Sequence, residues 1–164
     1  MPVDAHEAPA RQPCHRATPL CLLLALLLAG CNAPSGRAEI EFLGSADAES
    51  LALPFSEAVR VGDLLFLSGQ IGNVPGTQQL VAGGIAEQTH QVLRNMAAIL
   101  ERHNSSLERV VKCTVFIADI ADWPAMNAVY ETYFSGSPPA RSALGANGLA
   151  LGALLEIECV AVVR

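Results

Sequence analysis

The run RVVKCTVFIADI, residues 109–120, does most to limit what this chain can become. Its apolar and β-branched residues are almost continuous. A strand with one wet face alternates, whereas a strand covered on both faces reads as an unbroken apolar run. The run therefore predicts an interior strand covered on both faces. On either side of it the period turns helical. From about Gly84 to His103, the residues Ile85, Val92, Leu93, Met96, Ile99 and Leu100 recur on one helix face, and Asn104-Ser105-Ser106 ends the pattern. Downstream, DWPAMNAVYETYF opens a second helix. Asp122 is placed to cap it and Pro124 sits in its first turn. Trp123, Met126, Val129, Tyr130 and Tyr133 read mostly as core.

The remaining strands follow from alternation and turn chemistry. AEIEFL, Ala38 to Leu43, alternates and reads as the first strand. EAVRVGDLLFLSGQIG reads as a hairpin: Val59 and Val61 alternate with Arg60, Gly62-Asp63 turns, and Leu64 to Leu67 return. VPGTQQLVAGG is loop by its Pro and Gly content. SPPA breaks the second helix, and strands near Ser142 to Gly145 and Leu154 to Val163 close the chain. A mixed α+β sheet of about six strands with two helices on one face satisfies this order. The other face then needs a cover. With about 120 residues in the fold, self-association is the economical solution.

Several function classes fall away. Ten Lys and Arg stand against sixteen Asp and Glu, a net charge of −6, and Lys112 is the only lysine. Nucleic-acid surfaces need clustered basic residues. There is no Walker-type or dinucleotide glycine motif and no Cys/His set at zinc spacing. His90 and His103, on or beside the first long helix, read as solvated surface histidines.

The N-terminus sets the compartment. Arg11 and Arg16 precede LCLLLALLLAGC, residues 20–31. This run is too short to span a bilayer but has the length of a signal-peptide core. Its ending LAGC looks like the lipobox of bacterial lipoproteins. Residues 1–30 then form a signal peptide, Cys31 carries the lipid, residues 31–37 form a tether and residues 38–164 the domain. Buried acyl chains would anchor the product firmly. Asn32 after the cysteine favours the outer membrane, facing the periplasm, over the inner one. The alternative is a cytoplasmic protein whose leader does not function. Cys14 and Cys21 leave with the leader. Cys113 and Cys159 sit in apolar strands, where two free buried thiols are the simpler expectation and a disulfide is open in an oxidising compartment.

A few polar residues stand out against this apolar domain. Arg141 follows two prolines, and its planar fork suits a carboxylate; no acidic residue lies near it in sequence. A structural salt bridge is the plainer reading. Glu156 and Glu158 share one strand face by alternation. A carboxylate in apolar surroundings has a raised pKa, which suits a general base; a solvated pair is the plainer reading. In FLSGQIG, Gly69 lets the backbone approach a ligand and Ser68 can donate a hydrogen bond.

In order, PFSEAVRVGDLLFLSGQIG, NMAAILE, VVKCTVFIADIADWPAMNAVYETYF, PPARSALG and LEIECVAV resemble the Rid/YjgF family of reactive-intermediate deaminases. The resemblance covers about residues 38–164. It implies a chorismate-mutase-like fold and a homotrimer with a ligand site at each subunit interface. It also implies hydrolysis of small 2-imino and enamino acids to 2-oxo acids and ammonia, with no metal or organic cofactor. Membrane contact would come only through the lipid, and nucleic acid is not a partner. By the same resemblance Arg141 clamps the substrate carboxylate, Glu156 positions or activates water, Ser68 and Gly69 form the pocket wall, and Asn127 belongs to the site. Phe55 stands where many deaminases have tyrosine, and Ala143 where many have cysteine. The alternative is a non-catalytic carboxylate-binding or regulatory trimer on the same scaffold. An endoribonuclease activity, attached to some members, conflicts with the acidic charge.

Overall fold

The turn at Gly62-Asp63 forms where the sequence places it, with Gly62 at φ 58°. It joins β2 (Ala58–Val61) to β3 (Leu64–Leu67). The computed structural model describes residues 38–164; the expected signal peptide, the lipobox at Cys31 and the tether lie outside the described residues. Before the hairpin come β1 (Ile40–Leu43) and a short α1 (Ala46–Ser50), and after it the two-residue β4 (Gln70–Ile71). The long α2 (Ile85–Arg102), β5 (Val110–Ile117), α3 (Trp123–Tyr133), β6 (Ala140–Gly145) and β7 (Leu155–Val162) follow.

The strands form one sheet in the order β1-β2-β3-β7-β5-β6, and β4 also pairs with β7. Among the described residues only β5 and β6 pair in parallel, as expected for strands joined by the crossover helix α3. The mixed sheet with two helices on one face matches the expectation, with seven strands rather than about six. β4 was missed because two residues carry no period.

Register divides the side chains between two faces. Ala58, Leu65 and Leu67 from the hairpin, Cys113, Val115 and Ile117 from β5, and Leu155, Ile157, Cys159 and Ala161 from β7 are buried. They pack with Val92, Leu93, Met96, Ile99 and Leu100 of α2 and Met126 and Tyr130 of α3 in one cluster. α2 ends as predicted. Asn104 takes a left-handed φ of 60°, and the Ser105 amide donates to the Leu100 carbonyl.

Four expectations need correction. β5 is not covered on both faces within one chain: Lys112, Thr114 and Phe116 remain partly exposed. A register shift between Val110 and Lys112 turns Val111 outward, which makes the run look more continuously buried than it is. Asp122 makes no capping bond. A 3-10 turn precedes α3, and Asp119 accepts from the Ala121 amide at 2.9 Å, so Asp122 already has helical backbone angles. Cys113 and Cys159 face each other across β5 and β7, with Cα atoms 4.1 Å apart, and are joined by a disulfide. His103 is only 13% exposed. Its Nε2 lies 2.9 Å from Glu57 Oε1, and Arg102 grips the same buried carboxylate. His90, half-buried, pairs through Nδ1 with the Tyr133 hydroxyl.

Candidate functional site

β6 presents Arg141 directly opposite Cys113 of β5, which puts its side chain on the helix side of the sheet. There the guanidinium lies 4.5 Å from the Tyr130 ring centre and 5.6 Å from that of Trp123. Its Nη2 donates to Asn127 Oδ1 at 2.7 Å, and Asn127 in turn donates to Glu131. The predicted clamp is therefore held by one amide and two aromatic rings. An arginine stacked and braced in this way keeps its fork oriented, with other N–H groups available to a carboxylate. Asn127 braces the arginine, a role that a motif match alone does not reveal. Tyr130 is buried, and burial raises its phenol to about 12 despite the opposing influence of Arg141. It remains a neutral ring beneath the cation. Pro138, Pro139 and Phe134 complete this cleft of about 420 Å³.

Glu156 belongs to the other face. On β7 it alternates with buried Leu155 and Ile157, and it pairs with Phe116 of β5 and Ile71 of β4. The backbone of Gly69 lies against it. A β-carbon at position 69 would sit 1.8 Å from Glu156 Oε1, so only glycine leaves the carboxylate this room. Burial raises the Glu156 carboxyl above the usual glutamate range, and the nearby Glu158 raises it further. The cleft around it, about 330 Å³, is walled by Leu51, Leu53, Phe55, Ile71 and Leu151, with Gln70, Asn73, Thr77 and Gln78 as further polar lining. Ser68 stands beside it, but its hydroxyl donates to the Ser56 carbonyl at 2.7 Å. That bond ties down the segment carrying Phe55. Among the described residues, no cluster of His, Cys, Asp or Glu is arranged to hold a metal ion.

The structure thus brings Phe55, Gly69 and Glu156 together, with Ser68 as support. It separately brings Arg141 and Asn127 together. It does not bring Arg141 to Glu156 within one chain, because they occupy opposite faces of the sheet and line separate clefts. Sequence reasoning missed Leu51, Leu53 and Leu151 as site walls. The one legible hint was Gly148 and Gly152 around Leu151, which mark a tight loop.

Known proteins resemble this chain in sequence and in fold. The family model described as Endoribonuclease L-PSP matches residues 46–163. The chain is 42% identical over 120 residues to 2-iminobutanoate/2-iminopropanoate deaminase from Homo sapiens, covering 73% of this chain and 88% of that protein. The mouse protein of the same name is 43% identical over 109 residues, covering 66% and 81% respectively. Among solved structures, the YjgF gene product of E. coli superposes with a TM-score of 0.69 at 33% identity, covering 76% of this chain and 99% of that one. A protein of unknown function of the conserved Rid family from Yersinia pestis gives 0.70 at 37% identity, covering 76% and 100%.

Proposed function

The chain belongs to the Rid/YjgF family, and on that premise we propose that it hydrolyses small 2-imino and 2-enamino acids to 2-oxo acids and ammonia. The fold is chorismate-mutase-like, as in the solved YjgF structures. The observation that carries the reading is Glu156, a carboxylate kept basic by burial beneath a bare glycine backbone. The imine carbon is already electrophilic, so a positioned water and a base suffice. The imine reacts as its nitrogen-protonated iminium: Glu156 takes a proton from water as the C–O bond forms, leaving a neutral carbinolamine. Glu156 passes that proton to the amine nitrogen, the C–N bond breaks as the hydroxyl returns its proton to the Glu156 carboxylate, and ammonia leaves and carries that proton away as ammonium. Arg141 binds the substrate carboxylate through its braced fork.

Arg141 and Glu156 must come from neighbouring copies if they serve one site. The exposed face supports this: Ile40, Phe42, Leu64, Phe66 and Leu144 are each at least 40% exposed there. Such a patch on a small domain marks an interface, and the reading is a homotrimer with shared sites. Net charge −6 offers no track for an RNA backbone, so the nuclease word in the family description finds no support in this chain.

The test is semicarbazide trapping of 2-iminopropanoate made by an amino-acid oxidase from alanine. Wild type should suppress trapping, while Arg141→Ala and Glu156→Gln should not. Mixing the two inactive variants and letting subunits exchange should restore part of the activity, because some sites then receive both residues. An inert wild type rejects the deaminase reading and leaves a carboxylate-binding role. Active wild type with no restoration rejects the shared site.

The lipid-anchored periplasmic location is proposed on the LAGC motif, and the Cys113–Cys159 disulfide supports an oxidising compartment. Fatty-acid labelling of the expressed chain, lost in Cys31→Ser, would test it; no labelling of wild type would place the protein elsewhere.

A further inference from the structure

We infer that Asn147 is a self-modification site: its side-chain amide is lost as ammonia through a ring closed with the Gly148 backbone, and the residue becomes aspartate or isoaspartate. This chemistry is independent of the deaminase reading.

Asparagine is among the chemically labile residues. How long one lasts in a fold depends on two groups. One is its own side-chain amide. The other is the backbone N–H of the next residue, which must reach that amide. Four of the five asparagines among the described residues are held at one or both. Asn73 donates through Nδ2 to the Thr77 carbonyl at 2.8 Å, and the Val74 amide that follows donates to Gln79 at 2.9 Å. Asn95 and Asn127 lie inside α2 and α3, where backbone amides are committed to the helix. Their side chains are engaged as well, by the Asn73 carbonyl at 3.0 Å and by Arg141 at 2.7 Å. Asn104 precedes Ser105, whose amide donates to the Leu100 carbonyl at 2.8 Å.

Asn147 differs in each respect. Among the described residues, neither its side chain nor the Gly148 amide has a hydrogen-bond partner. Asn147 is exposed. Gly148 has φ 88°, and a β-carbon built on it would meet nothing within 4 Å, so the attacking nitrogen is screened by no side chain of its own and by no neighbour. The loop is pinned on either side of this pair. The Ala146 amide donates to the Ile117 carbonyl at 2.8 Å, and the Leu149 carbonyl accepts from the Gly152 amide at 3.1 Å. Asn147 and Gly148 are thus a free joint between two fixed points. The rotation that brings the Gly148 nitrogen to Asn147 Cγ breaks no hydrogen bond within the chain.

The atoms balance without redox chemistry. A solvent base takes the Gly148 amide proton as the nitrogen attacks Asn147 Cγ. The N–Cγ bond forms, the Cγ–Nδ2 bond breaks, and Nδ2 leaves as ammonia with a proton from water. Water then opens the cyclic imide. Attack at Cγ breaks the new bond and gives aspartate. Attack at the Asn147 main-chain carbonyl carbon breaks the original peptide bond, and the chain then runs through the side-chain carbonyl as isoaspartate. Either product adds one negative charge. Isoaspartate also lengthens the loop that joins β6, which carries Arg141, to β7, which carries Glu156.

The experiment ages the freshly purified full chain at neutral pH in water enriched in heavy oxygen. Denaturing isoelectric focusing reads the charge, and peptide mass mapping locates the label. A protein-isoaspartate methyltransferase with a labelled methyl donor detects isoaspartate. Aged wild type should form a band one charge unit more acidic than the fresh chain, whose net charge is −6. The label should map to Asn147, with isoaspartate in part of the product. Asn147→Asp should focus with the aged band. Asn147→Gln keeps the amide but must close a larger ring, and should hold its original position. No acidic band from aged wild type, or label at a different asparagine, overturns the inference. An equal acidic band from aged Asn147→Gln overturns it as well. Labelled aspartate without isoaspartate means direct hydrolysis of the side-chain amide, and overturns the part assigned to Gly148.

Discussion

Gly69→Ala separates catalysis from stability in this chain. The added methyl would sit 1.8 Å from Glu156 Oε1, 2.7 Å from Cδ and 2.9 Å from Cγ. Non-bonded heavy atoms settle at about 3.5 Å or beyond, so the carboxylate must retreat by more than about 1 Å. All three clashing atoms lie toward the end of a flexible side chain that faces a cleft. The fold absorbs this by a rotamer change, at about 1 kcal/mol or less. Catalysis does not absorb it, because a misplacement of about 1 Å costs on the order of 100-fold. Gly72→Ala is the control. Its methyl would meet Gln88 Cβ at 2.8 Å and Cα at 2.9 Å, and that backbone belongs to α2. The Gln88 side chain also accepts from the Leu154 amide at 2.9 Å. Overpacking there should cost about 1–3 kcal/mol. Thermal melts and semicarbazide-trapping kcat on both variants decide the matter. Gly69→Ala should melt within a few degrees of wild type yet lose about 100-fold in kcat. Gly72→Ala should melt markedly lower and keep more of its kcat. A Gly69→Ala variant retaining kcat within about threefold would remove Glu156 from the chemistry.

Further outcomes follow from the same geometry. The Cys113–Cys159 link closes a loop with a sequence separation of 46, so reducing it should cost about 4 kcal/mol. Urea unfolding with and without reductant, at fixed protein concentration, checks this; coincident curves would make the link energetically silent. Burial holds the Glu156 proton more tightly in the folded chain than in the unfolded one. The associated stability is complete below the unfolded pKa and is lost as pH rises through the raised folded value, while activity rises over the same window as the base forms. The acid limb of wild-type kcat/KM should therefore lie above the ordinary glutamate range; a limb near 4.3 would contradict the burial argument. Arg141→Lys keeps the charge but loses the fork and its stacking on Tyr130, so kcat/KM should fall about 30- to 100-fold, and an unchanged value would refute a two-point clamp. Glu57→Gln removes the anchor of Arg102 and His103 and should lower stability by about 2 kcal/mol in a urea melt without a matching loss of kcat.

The fold was legible wherever periodicity ran long. The helix ending at Arg102 shows one apolar face over several turns, and the hairpin carries a Gly-Asp turn between alternating strands, so both emerged nearly to the residue. Short or irregular pieces escaped. α1 and β4 are too brief to show a period, and the 3-10 turn before α3 displaced the cap from Asp122 to Asp119. The chemistry was legible by residue type, since an arginine and a glutamate stand out in apolar strands. Their supports were not. Asn127 beneath Arg141, and Gly69 against Glu156, are contacts between segments far apart in sequence. The disulfide is of the same kind: two cysteines in apolar strands suggest burial, and only strand register makes them neighbours.

On the deaminase reading proposed above, strand parity leaves a single chain with an incomplete site. Arg141 pairs with Cys113, and Cys113 pairs with Cys159, so all three lie on the helix side. Glu156 is three positions before Cys159 on the same strand, an odd number, and so must point the other way. No side-chain rotation undoes that, because parity is a property of the backbone. A deaminase built on these two residues therefore has to recruit the arginine of a second copy against the glutamate of the first. The apolar residues left bare on the Glu156 face, Phe66 and Leu144 among them, supply the attraction for that contact. Assembly and catalysis then become one requirement. A substitution such as Phe66→Glu, remote from either cleft's polar groups, should dissociate the oligomer in light scattering and abolish imine hydrolysis together. Loss of assembly with activity intact would mean that each chain carries a whole site after all.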